Sequence, residues 1–407
     1  MSSPASCRTS FSAVCWMMGR ALFAALEPPR PIGLLQASWG GTSDILWSSA
    51  KALAQCGEYD DATDKSPKTT LWNSAVVPLL RTTIRTAVWY QGEQDAAVGS
   101  AGGPSGPTVN QTRWPYNCTF PAMIADWRTR WSAATLGEVP NDFPFGYVQL
   151  NGNGKGEYPG PYNNTHGAGK QDRHKPSPNT SQPPLLPPVR FDYSEGGFPG
   201  LRWAQSAGFG FNPNPTQPNS FQAVILDTPA SDGGIHSPYK EAAGARLARA
   251  SLARASLVQA YGRSDVQPGP VLGSVSPVRG AVGGGTVTVT ISNPGGGVEL
   301  HTDGSVGFEV LPAEEHPYSV LWTNVKILSH SKDSVTLGPV PANATRLRYL
   351  WYSNACGLKL FNCPVYVVVP PLKGGLSGEH GFLPLGPFLA VIPRSKTDDT
   401  TVAVPQM

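Results

Sequence analysis

Charge is scarce in this sequence: Asp, Glu, Lys and Arg make up 14% of its 407 residues, and 31 basic against 28 acidic side chains leave a formal charge of only +3. So small and dispersed a surplus argues against a nucleic-acid partner, which needs a clustered basic face. No apolar run approaches the roughly 20 residues needed to cross a bilayer, so no membrane span is expected and the sequence reads as a soluble protein. His166 and His174 have no ligand partners at metal spacing; they read as solvated loop histidines, and no metal or cofactor is expected. The start, Met1-Ser2-Ser3-Pro4-Ala5-Ser6-Cys7-Arg8, lacks the charged beginning and apolar middle of a signal peptide.

What is abundant is Gly (45) and Pro (41), which predicts many turns and modest helix content in a chain long enough for two or more domains. The six cysteines could all pair, and Cys356 and Cys363 are close enough in sequence to close a small loop. Sequons at Asn110, Asn117, Asn163, Asn179 and Asn343 point the same way, to a secretory route. Together with the signal-less start, this implies either a cytosolic protein with idle sequons or a sequence without its natural beginning.

The chain is organised around Thr86-Ala87-Val88-Trp89-Tyr90-Gln91-Gly92-Glu93, where an apolar run stops at an amide, a glycine and a carboxylate. Such a run reads as a buried strand, and in open α/β sheets the chemistry lies beyond the carboxyl ends of the strands. Residues 11–26 have helical periodicity and stop before Pro28-Pro29. Residues 31–37 read as a short buried strand leading into Ser38-Trp39-Gly40-Gly41-Thr42, a small-residue turn able to offer backbone N–H groups as an oxyanion hole. A helix at 70–80 then precedes the strand at 87–90, which makes a parallel α/β unit. Further elements are a helix at 118–128, a strand at 145–150, a helix start at 201–206, a strand at 221–226 and a helix at 239–261, with flexible inserts near 94–112 and 151–200. Beyond residue 262 the pattern becomes short alternating strands, among them 269–272, 286–291, 334–337 and 365–369. The expected fold class is α/β, with a parallel-sheet domain over 1–262 and a β-rich accessory domain over 263–407.

His236 lies on the loop between a strand and a helix, with Asp232 four and Asp227 nine residues before it. That is the placement of a general base with an orienting carboxylate.

Three blocks now coincide: Ser38-Trp39-Gly40-Gly41-Thr42, Trp89-Tyr90-Gln91-Gly92-Glu93 and Gly234-Ile235-His236. With Tyr116-Asn117-Cys118-Thr119-Phe120-Pro121, Asp126-Trp127-Arg128, Phe145-Gly146-Tyr147-Val148-Gln149-Leu150 and Arg348-Tyr349-Leu350-Trp351, the sequence resembles the sialate O-acetylesterases, a family of the serine-dependent SGNH-hydrolase superfamily. The resemblance implies an SGNH-hydrolase-like domain, an O-acetylated sialic acid or sialoglycoconjugate as substrate, and a secreted or lysosomal location for the full-length protein. It further implies that His236 is the base, that Gly41 and Gln91 help to stabilise the oxyanion, and that Glu93 orients neighbouring groups. The superfamily usually places an aspartate three residues before the histidine, where this sequence has Gly233; Asp232 is the first substitute and Asp227 the second. The Gly-Gln-Ser-Asn turn that carries the family's nucleophile occurs nowhere in the sequence. The resemblance therefore implies an esterase inactive as it stands, or alternatively a serine-less relative that binds acylated sugars.

Overall fold

The computed structural model describes residues 11–56, 69–97, 116–152, 197–253, 266–280, 284–313, 322–372 and 380–394. The expected inserts, His166, His174, Cys7 and the sequons at Asn110, Asn163 and Asn179 lie wholly or mostly outside these residues. Helix α1, Ala13–Ala25, begins where the Ser12 hydroxyl accepts the Cys15 N–H at 3.3 Å, satisfying one of the free donors of the first turn. Its Val14, Met18, Ala21, Leu22 and Ala25 are buried.

Strands β1 (Ala87–Trp89), β2 (Phe145–Gln149) and β3 (Ser220–Val224) form a parallel sheet in the order β1-β2-β3, with Trp89 beside Tyr147 and Tyr147 beside Gln222. Parallel pairing brings all three carboxyl ends to one side of the sheet. Five further helices are α2 (Ala50–Ala54), α3 (Glu93–Ala97), α4 (Tyr116–Ala134), α5 (Phe198–Gln205) and α6 (Lys240–Leu252). The α4 side chains Phe120 and Trp127 pack on Phe145 of β2, each with ring centroids 6.0 Å apart. Trp89 is wedged among Trp47, Phe120 and Trp127 at 5.7, 6.3 and 5.9 Å. α6 packs on β2, β3 and α1. It reaches α1 at Gly244, where an added Cβ would stand 2.5 Å from the Met17 Cβ.

Two expectations in this half fail. Residues 31–37 form no strand: they are irregular and mostly exposed, and a cleft of about 700 Å³ lined by Leu22, Leu26, Ile32, Leu34, Val88 and Trp131 lies between them and β1. A strand exists only through a neighbour's hydrogen bonds, and here the neighbour is out of reach. Residues 70–80 form not a regular α-helix but a π turn at Trp72–Val76 and a 3₁₀ turn at Val77–Leu79, where Pro78 has no N–H to donate.

The remaining strands are β4 (Val271–Val275), β5 (Gly285–Ser292), β6 (Gly297–Leu300), β7 (Phe308–Pro312), β8 (Thr323–His330), β9 (Ser334–Val340), β10 (Ala344–Tyr349), β11 (Val365–Val368), β12 (Phe382–Pro384) and β13 (Phe388–Val391). They make a seven-stranded antiparallel sheet, β13-β10-β7-β8-β9-β5-β4, and a three-stranded one, β12-β11-β6. In β5 the alternation is plain: Val287, Val289 and Ile291 are buried, with threonines between them. The whole is a mixed α/β architecture with a parallel sheet and separate antiparallel ones.

Both parts are joined by buried polar contacts. The fully buried Arg202 of α5 donates to the carbonyls of Leu150 (2.7 Å), Tyr352 (2.7 Å) and Ser353 (2.6 Å). Disulfides link Cys56 to Cys118, tying the end of α2 to α4, and Cys356 to Cys363, the small loop expected from sequence. The expectation that every cysteine pairs does not hold, since Cys15 on α1 is a free thiol. Of the described sequons, Asn343 is exposed in a turn, whereas Asn117 sits in the first turn of α4 with its Oδ1 buried. Among the described residues no helix is long and apolar enough to cross a membrane.

Candidate active site

The site begins where β1 ends. Gly92 has φ +133°, a conformation that L side chains rarely adopt, and a Cβ there would stand 2.5 Å from Leu201 Cδ2. Only glycine lets the chain turn at this point from β1 into α3 under the α5 side chains. The turn presents Gln91, whose Nε2 donates to the Thr42 carbonyl at 2.8 Å and to Asp95 Oδ2 at 2.5 Å, while its Oε1 accepts the Tyr116 hydroxyl at 3.1 Å. Both amide hydrogens are thereby engaged. Gln91 clamps the Gly41 turn onto the end of β1.

On the other side of that clamp, Gly41 is exposed with φ +70°. Thr42 Oγ1 donates to the Trp39 carbonyl at 2.7 Å and accepts Trp47 Nε1 at 3.0 Å. Ser43 Oγ donates to Asp95, and the Asp44 carboxylate accepts the Thr119 hydroxyl at 2.6 Å. Asp95 Oδ2 also accepts the Asp44 N–H at 3.3 Å. Sequence reasoning missed this support, which joins groups 51 to 75 positions apart; the one local signal was the polar run Thr42-Ser43-Asp44 after the glycines.

Burial and the neighbouring Asp95 charge hold the Asp44 carboxyl well above the usual carboxylate range, and burial pushes Asp95 up to about 6 against the hydrogen bonds from Ser43 and Gln91. A carboxyl whose folded pKa is raised binds its proton more tightly when folded, so the stability it contributes is present in acid and lost as pH rises through the folded value. For Asp95 the window runs from 3.8 to about 6. Urea unfolding at pH 7.5 and pH 5 should show that Asp95→Asn removes about 1.4 kcal/mol of acid-side stabilisation relative to the wild type, since pH 5 lies about one unit below the folded value. Identical pH slopes for the two proteins would contradict this account.

The third block follows β3. Asp227, fully buried, binds Arg246 of α6 through Oδ1 at 2.5 Å and Oδ2 at 2.8 Å, and Oδ2 also accepts the Tyr366 hydroxyl at 3.1 Å. Asp227 is thus committed to a buried ion pair, and no hydrogen bond joins it to His236. Asp232 is exposed, and its Oδ1 accepts the Gly234 N–H at 2.8 Å, closing a turn through Gly233 at φ +79°. No hydrogen bond joins Asp232 to His236, which is itself exposed. Lys240, four residues on, reaches back to β1: its Nζ donates to the Tyr90 hydroxyl at 3.1 Å and lies 4.5 Å from the centre of that ring. Burial raises the Glu93 carboxyl above the usual range, opposed by a backbone hydrogen bond and by the charge of Lys240. The structure thus bonds Gln91 to the Gly41 turn at the end of β1, and it shows no hydrogen bond from His236 to Gln91, Glu93 or the Gly41 turn.

With this geometry the chain can be set beside known proteins. Its fold matches that of a carbohydrate acetylesterase from Xanthomonas citri with a TM-score of 0.58, over 93% of this chain and 65% of that one, at 22% identity. By sequence it is related to the sialate O-acetylesterases: it is 30% identical to the human protein over 392 residues, 94% of this chain, and 27% identical to the mouse protein over a like share. The chain spans 61% of the human protein's length and 64% of the mouse protein's. No protein-family model matches it.

Proposed function

We propose that this chain carries the base-bearing part of a carbohydrate O-acetylesterase site of the SGNH type, whose substrate is an O-acetylated sialic acid, free or on a glycoconjugate. The observation that carries the proposal is the Gln91 bond to Thr42, which docks the Gly41 turn against the end of β1. In a site completed by a nucleophilic serine, which the 407 residues do not supply in a Gly-Gln-Ser-Asn turn, the hydroxyl gives its proton to His236 as its oxygen bonds to the acetyl carbon. Backbone N–H groups of the Gly40-Gly41 turn, held in place by Gln91, stabilise the oxyanion. The sugar oxygen leaves with the proton from His236, and water, deprotonated by the same imidazole, then releases acetate. Residues 1–262 form the esterase unit and 263–407 the accessory β unit, and the two disulfides support an oxidising, secreted or lysosomal setting.

A second reading, acetyl-sugar binding without turnover, is favoured by the missing Gly-Gln-Ser-Asn turn. Both readings require recognition of the acetyl group. Calorimetry should show saturable binding of O-acetylated sialic acid to the 407-residue chain and at least about tenfold weaker binding of the same sugar without its O-acetyl group, a difference of about 1.4 kcal/mol. Equal affinities would exclude a site built around the ester.

A further inference from the structure

We propose that the cleft between β1 and residues 31–37 is an acceptor for one further β-strand: an extended, uncharged, apolar segment joined to the start of α1, which pairs in parallel with β1 and takes the three-stranded sheet to four strands. The proposal concerns the sheet alone and uses no catalytic assignment.

The size and the edge of the cleft select a strand as its occupant. Protein interiors are close-packed, and deleting one large side chain leaves a cavity of about 150 Å³. At about 700 Å³ the cleft has room for a stretch of chain, and its walls are those of a core, with Met18 and Leu22 of α1 on one side and Trp127 and Trp131 of α4 on another. Ala87 and Trp89 bond to β2, so the N–H and C=O of Val88 face the cleft, where none of the described residues takes them up. Edge strands are ordinarily guarded by a charge, a proline or a bulge; Ala87-Val88-Trp89 has none of these, and Val88 is left half-exposed. A backbone edge beside an apolar slot is satisfied by another backbone, which neither a lipid nor a small apolar ligand provides.

The start of α1 sets the direction and the attachment. The Ser12 N–H donates to Gln36 Oε1 at 2.6 Å, and Cys15 Sγ donates to the Leu35 carbonyl at 3.9 Å. α1 therefore begins beside the carboxyl-terminal end of residues 31–37, the end that the Gln91–Thr42 bond docks onto β1. A strand that leads into α1 through a short turn arrives at that same end, which makes it parallel to β1. Residues 1–10 do not have the required chemistry, since they contain Pro4, Arg8 and five hydroxyl side chains. The related human and Xanthomonas citri proteins are longer, this chain covering 61% and 65% of them, so an additional strand is within the length of such chains.

The test needs no turnover and uses Cys15, a free thiol in the cleft wall, as its reporter in a Cys7→Ser background. Residues 1–10 are replaced by a short strand of Val and Leu followed by a Gly/Ser turn, and alkylation of Cys15 by iodoacetamide is timed. The strand should slow alkylation at least about tenfold and raise the urea midpoint, because a filled cleft removes the thiol from solvent. A Gly/Ser segment of equal length should do neither, nor should the same strand with proline at its centre, which cannot complete the ladder. The free strand peptide at equimolar concentration should also fail, since joining raises its effective concentration to the order of millimolar. Equal alkylation rates with the strand and the Gly/Ser segment would overturn the proposal, as would full protection by the proline strand or by the free peptide. Protection in the unaltered chain that grows with protein concentration would put a second copy in the cleft and refute the assignment. Should the strand-bearing chain not fold, the unaltered chain still decides: a Cys15 that resists alkylation until urea unfolds the protein shows a closed cleft with no place for a strand.

Discussion

The 407-residue chain, expressed alone, should release acetate from 4-nitrophenyl acetate or O-acetylated sialic acid no faster than buffer does. A base and an oxyanion turn without a nucleophile leave only a small fraction of a serine hydrolase's rate, a loss on the order of a millionfold. Ser38, Ser43 and Ser206 already have hydrogen-bond partners. Ser43 donates to Asp95; Ser206, with no exposed surface, donates to the Trp203 carbonyl at 2.9 Å and accepts the Gly210 N–H at 2.7 Å; Ser38 accepts Gln36 Nε2 at 2.6 Å. None of them is bonded to His236. Fusing an upstream segment with a Gly-Gln-Ser-Asn turn should bring activity to the chain, and His236→Ala in the fusion should abolish it. Rapid turnover by the chain alone, lost on changing Ser38, Ser43 or Ser206, would place the nucleophile at that serine and refute this account.

The largest expected loss of stability comes from breaking the Asp227–Arg246 pair. Arg246 binds both oxygens of Asp227 and also donates to the Val224 carbonyl at 2.7 Å, and neither residue is more than 5% exposed. Removing one partner leaves the other charge buried without compensation, which costs about 3–5 kcal/mol. Arg246→Met should therefore lower the urea midpoint sharply, and Asp227→Asn should do the same. The double variant should cost less than the two singles added together, because the second change relieves the charge stranded by the first. Strictly additive losses in a double-mutant cycle would show that the two residues act independently.

Some of this architecture is legible in the sequence because it is locally encoded. Ser12 caps α1, and Pro28-Pro29 follow its end. The β-branched and aromatic runs at β1, β2 and β3 are strands on composition alone, and residues 118–128 lie inside the longer helix α4. The failures are nonlocal. Residues 31–37 have a strand's composition, yet a strand requires a partner within reach, which no window of sequence reveals. Within the candidate site, Gln91 and Glu93 are legible as the polar end of an apolar run, Gly41 as part of a small-residue turn and His236 as a loop residue between a strand and a helix. The Asp44–Asp95 support was not, since it exists only after the Gly41 turn has docked onto β1. The commitment of Asp227 to Arg246 was equally hidden, because it depends on where α6 lies across the end of β3.

The open side of β1 has a consequence for how the sheet breathes. In a parallel ladder successive residues turn their N–H and C=O groups alternately to the two sides; Ala87 and Trp89 serve β2, which leaves the backbone groups of Val88 directed at the cleft. Opening β1 therefore breaks bonds along one side only, whereas opening β2 breaks ladders on both. The amide hydrogens of the sheet fall into two kinetic classes, those of β2 exchanging with water only in large openings and those of β1 in smaller, more frequent ones. The strand that leads to Gln91 and Glu93 is thus, like β3, an edge strand whose local unfolding is less coupled to the rest of the sheet than that of β2.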